Sequence, residues 1–451
     1  MQSSKCLLPL SCNQKSGNRT VFGHRVRAGL ARSSKGLCDA QFCGSGMKVA
    51  LMTLLTDQFF DSFASSTRPT VEAETLPPEL YTSQEFYEFE KEALFYREWL
   101  CVGRDEWVPE TGDFFTATHA NEPIIISRTR DGELRAMSAV CQHRAMLVAE
   151  GKGNARGFTC PYHHWSYDLD GRLVGAPAMG KTCNFDKTQY NLPRLQVEVW
   201  HGFIFVNFDP EAESLASRME PLEAVVANFD FANLRGPEPA VHEFAWNWKV
   251  QFENNNDGYH ASRLHQGLHD YIPSSLASFP EVPRETAGYY RLNGSLHPNA
   301  SFNPTEKALF PVFPKLTDEE QNRLLFVNLP PSLSLVVLND VVIYLIMDAR
   351  SPTTHGLTFG SLYHPTALED PEFEEKRKLN DDHTSNIVAQ DLHVDLLVQQ
   401  GLGSRYAPRG RYSWQEDAQR QLNVWLVDRY TKEWDRRRGP SAPVTRLHAT
   451  S

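Results

Sequence analysis

Nowhere in its 451 residues does the chain string together the roughly 18 apolar residues that a membrane span requires. No membrane segment is expected. Cysteine is scarce as well: there are eight, and Cys6, Cys12, Cys38 and Cys43 fall in the first 43 residues. The four that remain, Cys101, Cys141, Cys160 and Cys183, are too few over so long a stretch for a disulfide framework. They suit a reducing compartment, where a Cys beside a His is more often a metal ligand. Positive charge is also short, with a net of −11 over the chain, which argues against a nucleic acid as partner. There is no internal repeat. Apolar and charged contents of 41% and 22% are those of an ordinary globular protein long enough for two or three domains.

The shortage of positive charge is reversed at the start. Residues 1–48 hold eight Lys and Arg against one acid, Asp39, a net of +7, so the remainder carries −18. This Ser-bearing leader has no apolar core where a secretory signal needs one, because "VALMTLL" at 49–55 comes too late. Residues 1–55 therefore read as an organelle transit peptide, for the chloroplast stroma ahead of the mitochondrion. A cytoplasmic location is expected if the leader is not a transit peptide. Residues 56–80, with Pro69, Pro77 and Pro78, read as a linker, and 438–451 as a disordered tail.

Between these ends the texture changes once. Thr82 and Glu85 in "TSQE" have capping-box spacing, and Phe86, Phe89, Ala93 and Tyr96 follow at helical spacing, so a helix is expected over 83–99. From about 100 to 208, short apolar stretches such as "EPIIIS" alternate with the turn pairs Asp131-Gly132 and Asp170-Gly171. These are hairpin signals of a small antiparallel β domain. From about 210 to 435 the pattern is mixed. "HEFAWNWKV" alternates as a strand does, 324–347 reads as two or three strands, and 370–400 as a charged helix. Ser413 and Glu416 form a second capping box before a closing helix. Strands flanked by helices make this an α+β domain. Two folded domains are expected, 81–210 and 211–437.

The hairpin-rich region holds "CQHRAMLVAEGKGNARGFTCPYHHW" (141–165). Cys141 and His143 stand as C-x-H, and Cys160 and His163 as C-x-x-H. Thiolate with imidazole suits zinc or an iron–sulfur cluster. Zinc fingers usually pair C-x-x-C with H-x-x-x-H, whereas one Cys and one His from each of two loops suit a Rieske [2Fe–2S] centre. A structural zinc site is the alternative. "GKGNARG" opens no helix and reads as a connector rather than a nucleotide loop. His164 is off pattern and reads as a loop residue. The two loops resemble those of the Rieske family, which implies Cys141, His143, Cys160 and His163 as cluster ligands.

Further on, 247–270 offers His260, His265 and His269 with Asp257 and Asp270. Two His and one carboxylate on one face make the facial triad of non-haem Fe(II) oxygenases. Spacing leaves the pair open: His265 and His269 stand at i, i+4, while His260 and His265 need a helix end or a distortion. "NWK…EN…DGYHASRLH" resembles the D-x-x-H-x-x-x-x-H segment of the α subunits of Rieske non-haem iron oxygenases. That family includes ring-hydroxylating dioxygenases and choline monooxygenase-like enzymes, and the resemblance runs from about 80 to 435. It implies His260 and His265 as ligands of a mononuclear Fe(II), and Asp257 as a bridge from a cluster His to an iron His across a subunit boundary. "AQDLHVDLLVQQGL" is similar to the family's C-terminal helix, which implies Asp391 as third ligand, with Asp395 one turn on as its rival. Gln390 stands where relatives often have Glu. His269, His383 and His393 are expected to take no part.

The same resemblance implies an all-β Rieske domain followed by an α+β helix-grip catalytic domain with an antiparallel sheet. It implies a terminal oxygenase that uses O2 to hydroxylate a small organic substrate. Nothing in the chain resembles a flavin or nicotinamide fold, so a separate ferredoxin or flavin reductase is the expected donor. A homotrimer or a multiple of one is the expected assembly. "LFPVFPKLTDEE" and "QQGLGSRYAPRGRY" look like the choline monooxygenase and betaine/carnitine oxygenase branch. A choline-like quaternary amine, choline going to betaine aldehyde hydrate, is the leading substrate, and an aromatic acid or arene the alternative. Plant choline monooxygenases carry an extra Gly between the Asp and Tyr-His, and "DGYH" here departs from them. Phe279, Tyr289, Tyr290, Phe302, Phe310 and Phe313 could stack on an arene or cage a trimethylammonium group, although core packing is the ordinary role of most.

Overall fold

Ile124, Ile125 and Ile126 leave their strand without a polar face, so it must be covered on both sides. The computed structural model, which describes residues 53–265 and 267–439, shows how. The strand Glu122–Arg128 lies inside a seven-stranded antiparallel sheet. Its order is Leu100–Arg104, Phe203–Asn207, Arg194–Trp200, Leu134–Ser138, Glu122–Arg128, Asp113–His119 and Lys152–Asn154. Ile125 packs with Met137, Cys141, Cys160 and Trp165, while Ile124 and Ile126 enter the main core. A small three-stranded sheet, Phe158–Thr159, Ser166–Tyr167 and Leu173–Gly175, lies beside it. The predicted turn glycines Gly132 and Gly171 have φ of +83° and +79°, which glycine adopts without strain. At Gly171 a Cβ would also press on Met137 Sδ at 3.0 Å.

The second domain is a seven-stranded antiparallel sheet ordered Ala240–Phe244, Thr354–Leu362, Val342–Ser351, Leu333–Val337, Arg323–Leu329, Tyr289–Gly294 and Ala277–Ser278. The 324–347 region thus supplies three strands. Residues alternate between its faces. Tyr290, Leu292, Leu325 and Val327 pack with the helix Leu215–Val226. Tyr289, Leu324 and Phe326 join the core that also holds residues of the helices Trp248–Asn256 and Asp417–Arg438. The helices Gly258–Leu264 and Phe373–Leu402 complete this set. No helix among the described residues is long and apolar enough to cross a membrane.

Several local expectations are corrected. Residues 56–80 are folded rather than a linker: Asp57–Asp61 is helical, Phe60 stacks on Trp434 at 4.4 Å, and Phe63 is fully buried against Phe86 and Tyr430. The aromatic trio Phe59, Phe60 and Phe63 outweighs the prolines that follow it. The helix expected over 83–99 runs as Gln84–Glu90 and continues as a π turn, Lys91–Phe95. Its cap is Ser83, whose Oγ accepts from Phe86 N–H; Thr82 instead donates to Pro78 O, and the Glu85 carboxylate accepts from Leu54 N–H. "HEFAWNWKV" is a strand only to Phe244. Asn247 Oδ1 accepts from Lys249 N–H at 2.9 Å and starts a helix. Ser413 and Glu416 do form a capping box, closing a short 3-10 turn before Asp417–Arg438. The expected transit peptide and tail lie almost wholly outside the described residues.

A fully buried Lys–Glu pair is among the contacts that join the domains. Lys249 Nζ meets Glu90 Oε1 at 2.8 Å, and neither side chain is more than 1% exposed. Trp248 Nε1–H and the Tyr430 hydroxyl also donate to Glu90. The leading helix, the first catalytic helix and the closing helix therefore share one carboxylate. Removing one partner of such a pair strands the other charge away from water. Glu90→Gln is expected to lower unfolding stability by about 3–5 kcal/mol, read from the denaturant midpoint.

Candidate metal centres

The two cysteine–histidine loops are built alike. Cys141 N–H donates to Met146 O and Ala145 N–H to Cys141 O; Cys160 N–H donates to Trp165 O and His164 N–H to Cys160 O, all at 2.8–3.0 Å. The fifth residue of each turn, Ala145 and His164, is left-handed, with φ of +56° and +57°. His164 is thus the turn residue of its loop. The shared turn buries each thiol and lifts each imidazole: Cys141 and Cys160 are buried and unpaired, while His143 and His163 are half-buried beside exposed Arg144 and Tyr162. The two imidazole rings lie 4.5 Å apart, and His143 stacks on Trp165 at 4.9 Å. Tyr167 Oη accepts from Gln142 N–H and lies 3.4 Å from Cys141 Sγ, which leaves its own proton for the sulfur. Two inward thiols and two outward imidazoles are the donor set of a [2Fe–2S] Rieske cluster.

The second site begins at Asp257. Its Oδ1 caps the helix Gly258–Leu264 by accepting from Tyr259 N–H at 2.6 Å, and its Oδ2 lies 3.0 Å from His260 Nδ1. His265 is the C-cap of this helix, with φ −97° and ψ +86°. That break brings a ligand five residues on to the same side as His260. His265 Nδ1 lies 3.0 Å from Gln390 Oε1. Both imidazoles therefore carry their proton on Nδ1 and turn Nε2 lone pairs inward. The two Nε2 atoms are 3.1 Å apart, and Asp391 Oδ1 lies 3.1 Å from that of His265 and 3.6 Å from that of His260. Three lone pairs converging at such distances repel one another unless a cation lies between them. Bonds of about 2.1 Å at right angles would space ligand atoms by about 3 Å, so the donors fit a facial metal triad. Among the described residues this is the group whose donors come within 4.8 Å of each other.

The neighbours fall into place around it. Asp395 stays outside the triad. Burial, then the charges of Asp391 and Glu253, push its carboxyl up to about 8, so it is neutral at pH 7. His269 Nδ1 accepts from Ser274 N–H, and His393 is exposed. Gln399, about two turns after Asp391, accepts from Asn247 N–H at 2.7 Å and donates to Tyr81 O at 3.1 Å. This fixes the Asp391 helix against the helix that leads to Asp257. Most aromatics of 279–314 are core: Phe310 packs on Tyr363 and Phe373, Phe313 on Phe229, and Tyr290 on the far side of the sheet. The sequence reading noted Gln390 without a role and missed Tyr167. Strand alternation, which turns Tyr167 inward beneath Cys141, was the available signal.

Comparison with known proteins agrees with this architecture. A Rieske [2Fe-2S] domain model matches residues 98–194, and a model of the ring hydroxylating alpha subunit catalytic domain matches 231–432. The chain belongs to the Rieske non-haem iron oxygenase family. Its two domains are those that hold a Rieske cluster and a mononuclear iron. The anthranilate 1,2-dioxygenase large subunit of Acinetobacter baylyi is 35% identical over 206 residues, 44% of each chain, so the match spans less than half of that relative. The carnitine monooxygenase oxygenase subunit of Acinetobacter baumannii is 28% identical over 351 residues, covering 75% of this chain and 88% of its own. A solved quaternary ammonium Rieske monooxygenase superposes with a TM-score of 0.69 at 25% identity, over 82% of this chain and 98% of its own.

Two outcomes are expected at the iron site. Gln390→Leu removes the acceptor that fixes His265, and should weaken iron binding by roughly 10–100-fold while leaving the cluster's visible spectrum unchanged. Asp395 ionises near 3.8 when unfolded but near 8 when folded. Between these values only the unfolded chain gives up the proton, so its contribution to stability is full at low pH and is lost as pH rises toward 8. Relative to the native protein, Asp395→Asn should therefore gain stability from pH 5 to pH 8, by roughly 1.4 kcal/mol per unit at most, measured by chemical denaturation.

Proposed function

We propose that this chain is a terminal oxygenase. It takes electrons from a ferredoxin or flavin reductase and uses O2 to hydroxylate a small organic substrate. The observation that carries this reading is the convergence of His260, His265 and Asp391 in a chain that also bears the two cluster loops. An electron carrier needs only the loops. When bound, the cluster supplies single electrons and the iron supplies activation of O2.

The chain's own residues prepare both sites. Asp257 and Gln390 hold protons on the outer imidazole nitrogens, so both inner nitrogens are free to ligate. Trp165 and Tyr167 fix His143 and Cys141. His163 is half-buried, with Nδ1 turned inward, and Asp257 keeps 19% of its side chain exposed. Among the described residues no hydrogen bond joins the two within the chain. A homotrimer, or a multiple of one, in which Asp257 of one subunit meets a cluster histidine of the next is the assembly this reading expects.

The longer alignment, to a carnitine monooxygenase, supports a quaternary amine as substrate, and choline going to betaine aldehyde hydrate is the first reaction to test. The similarity to an anthranilate dioxygenase supports an aromatic acid or arene as the second reading. The test is a single turnover: iron-loaded, chemically reduced protein receives O2 with choline, carnitine or an aromatic acid, and products are read by mass spectrometry. An oxygenated product is expected from the native chain. His260→Ala should keep the electron-spin signal of the reduced cluster and give no product. Full product from His260→Ala would overturn the iron-site assignment.

A further inference from the structure

Among the described residues three arginines are buried: Arg104, Arg291 and Arg429. Two of them are answered by acids. Arg104 meets Glu106 at 3.2 Å and Arg429 meets Glu98 at 3.2 Å, and each also donates to backbone carbonyls. Arg291 is different. It is 6% exposed and makes no ion pair, and its Nε–H has no acceptor. Its one hydrogen bond is a long one, from Nη1 to Asn293 Oδ1 at 3.5 Å, and its guanidinium lies over the Phe326 ring at 3.5 Å. Burial lowers its pKa to about 10, with Asp257 and Tyr289 acting against that. It remains a cation at neutral pH. A cation buried without an anion is costly.

The placement of this cation is specific. On the strand Tyr289–Gly294, Tyr289, Arg291 and Asn293 share the face turned to the catalytic helices. Tyr289 pairs in register with Asn328, whose side chain is hydrogen-bonded to Asn256, the residue before Asp257. Asn293 donates to Pro273 O, and the next residue, Ser274, donates to Gly258 O at the start of the His260 helix. Arg291 stands between two tethers that both lead to the iron site. The Tyr289 hydroxyl, two residues away on the same face, is likewise buried without a partner. Two donors therefore lack an acceptor, one of them on a cation, and a carboxylate accepts from both.

We propose that Arg291, with Tyr289, binds the carboxylate of an acidic substrate and orients it for the iron held by His260, His265 and Asp391. This rests on the oxygenase reading and narrows it: the substrate is a carboxylate anion, either a zwitterionic quaternary amine or an aromatic acid, rather than choline itself. Arg291 sets specificity. A fixed positive charge at Arg291 also opposes a substrate whose only charge is positive.

The experiment uses two matched pairs of probes on the anaerobic ferrous holoenzyme: glycine betaine against choline, and benzoate against benzyl alcohol. Binding is read by calorimetry, so it does not depend on turnover. The carboxylate of at least one pair should bind more tightly than its alcohol by roughly tenfold or more, and the pair that shows the gap identifies the source. Arg291→Gln should abolish the gap, and Tyr289→Phe should reduce it, with iron content and cluster spectrum retained. Equal binding within both pairs, no binding by either carboxylate, or a gap that survives in Arg291→Gln would each overturn the proposal. If Arg291→Gln fails to fold, the native pairs and Tyr289→Phe decide. Product analysis on the same samples separates the two readings. A gap without any oxygenated product leaves Arg291 in place and overturns the oxygenase, whereas product from choline without a gap does the reverse.

Discussion

The Glu90 carboxylate is the point on which the two domains agree. It is taken from a helix that leads into the cluster-bearing sheet, and it is held by Lys249, Trp248 and Tyr430 from two catalytic helices. A charge pair sealed from water contributes little net stability, because desolvation offsets most of its attraction. It imposes a geometry instead: any packing that separates the partners leaves a bare charge inside. The helix carrying Lys249 ends at Asn256, and the next residue is Asp257. The registration of the domains is therefore passed within two turns to the residue that holds His260.

From there the iron site is assembled by polar contacts rather than by packing. Asn256 reaches Asn328 on the sheet, Ser274 reaches Gly258, and Gln399 ties the long helix to Asn247. Each contact fixes an element that carries one of the three donors or leads directly into one that does. Buried polar networks of this kind hold one arrangement because a shifted one leaves groups unsatisfied. The cluster site follows the opposite plan. There a backbone turn, used twice, places the ligands, and side chains such as Trp165 and Tyr167 only adjust them.

This contrast explains what the sequence revealed. Cys141, His143, Cys160 and His163 lie on two short loops, so their spacing is the geometry and could be read directly. His260 and His265 could be read only as candidates, because a separation of five is productive only if the helix ends at His265, as it does. Asp391 lies on a helix brought in from far along the chain, and nothing in local spacing separates it from Asp395; the resemblance chose it. Resemblance gave Gln390 and Arg291 no role, and Tyr289 entered only as one of the aromatics of 279–314. Errors in the fold had local causes. Prolines obscured the aromatic trio at Phe59, Phe60 and Phe63, and Asn247 turned an alternating pattern into a helix.

Gln390 has one more consequence. The groups bonded to or ligating around the histidines are two carboxylates, Asp257 and Asp391, and one amide. Their formal charge is −2, which equals in magnitude that of a divalent ion. A glutamate at 390 would make the same shell −3 without adding a ligand. A divalent ion held by these donors would be balanced in formal charge, with His265 held in orientation by a dipole and spared the added basicity that a carboxylate would confer. Of the two imidazoles, His265 would then be the weaker electron donor to that ion and His260 the stronger.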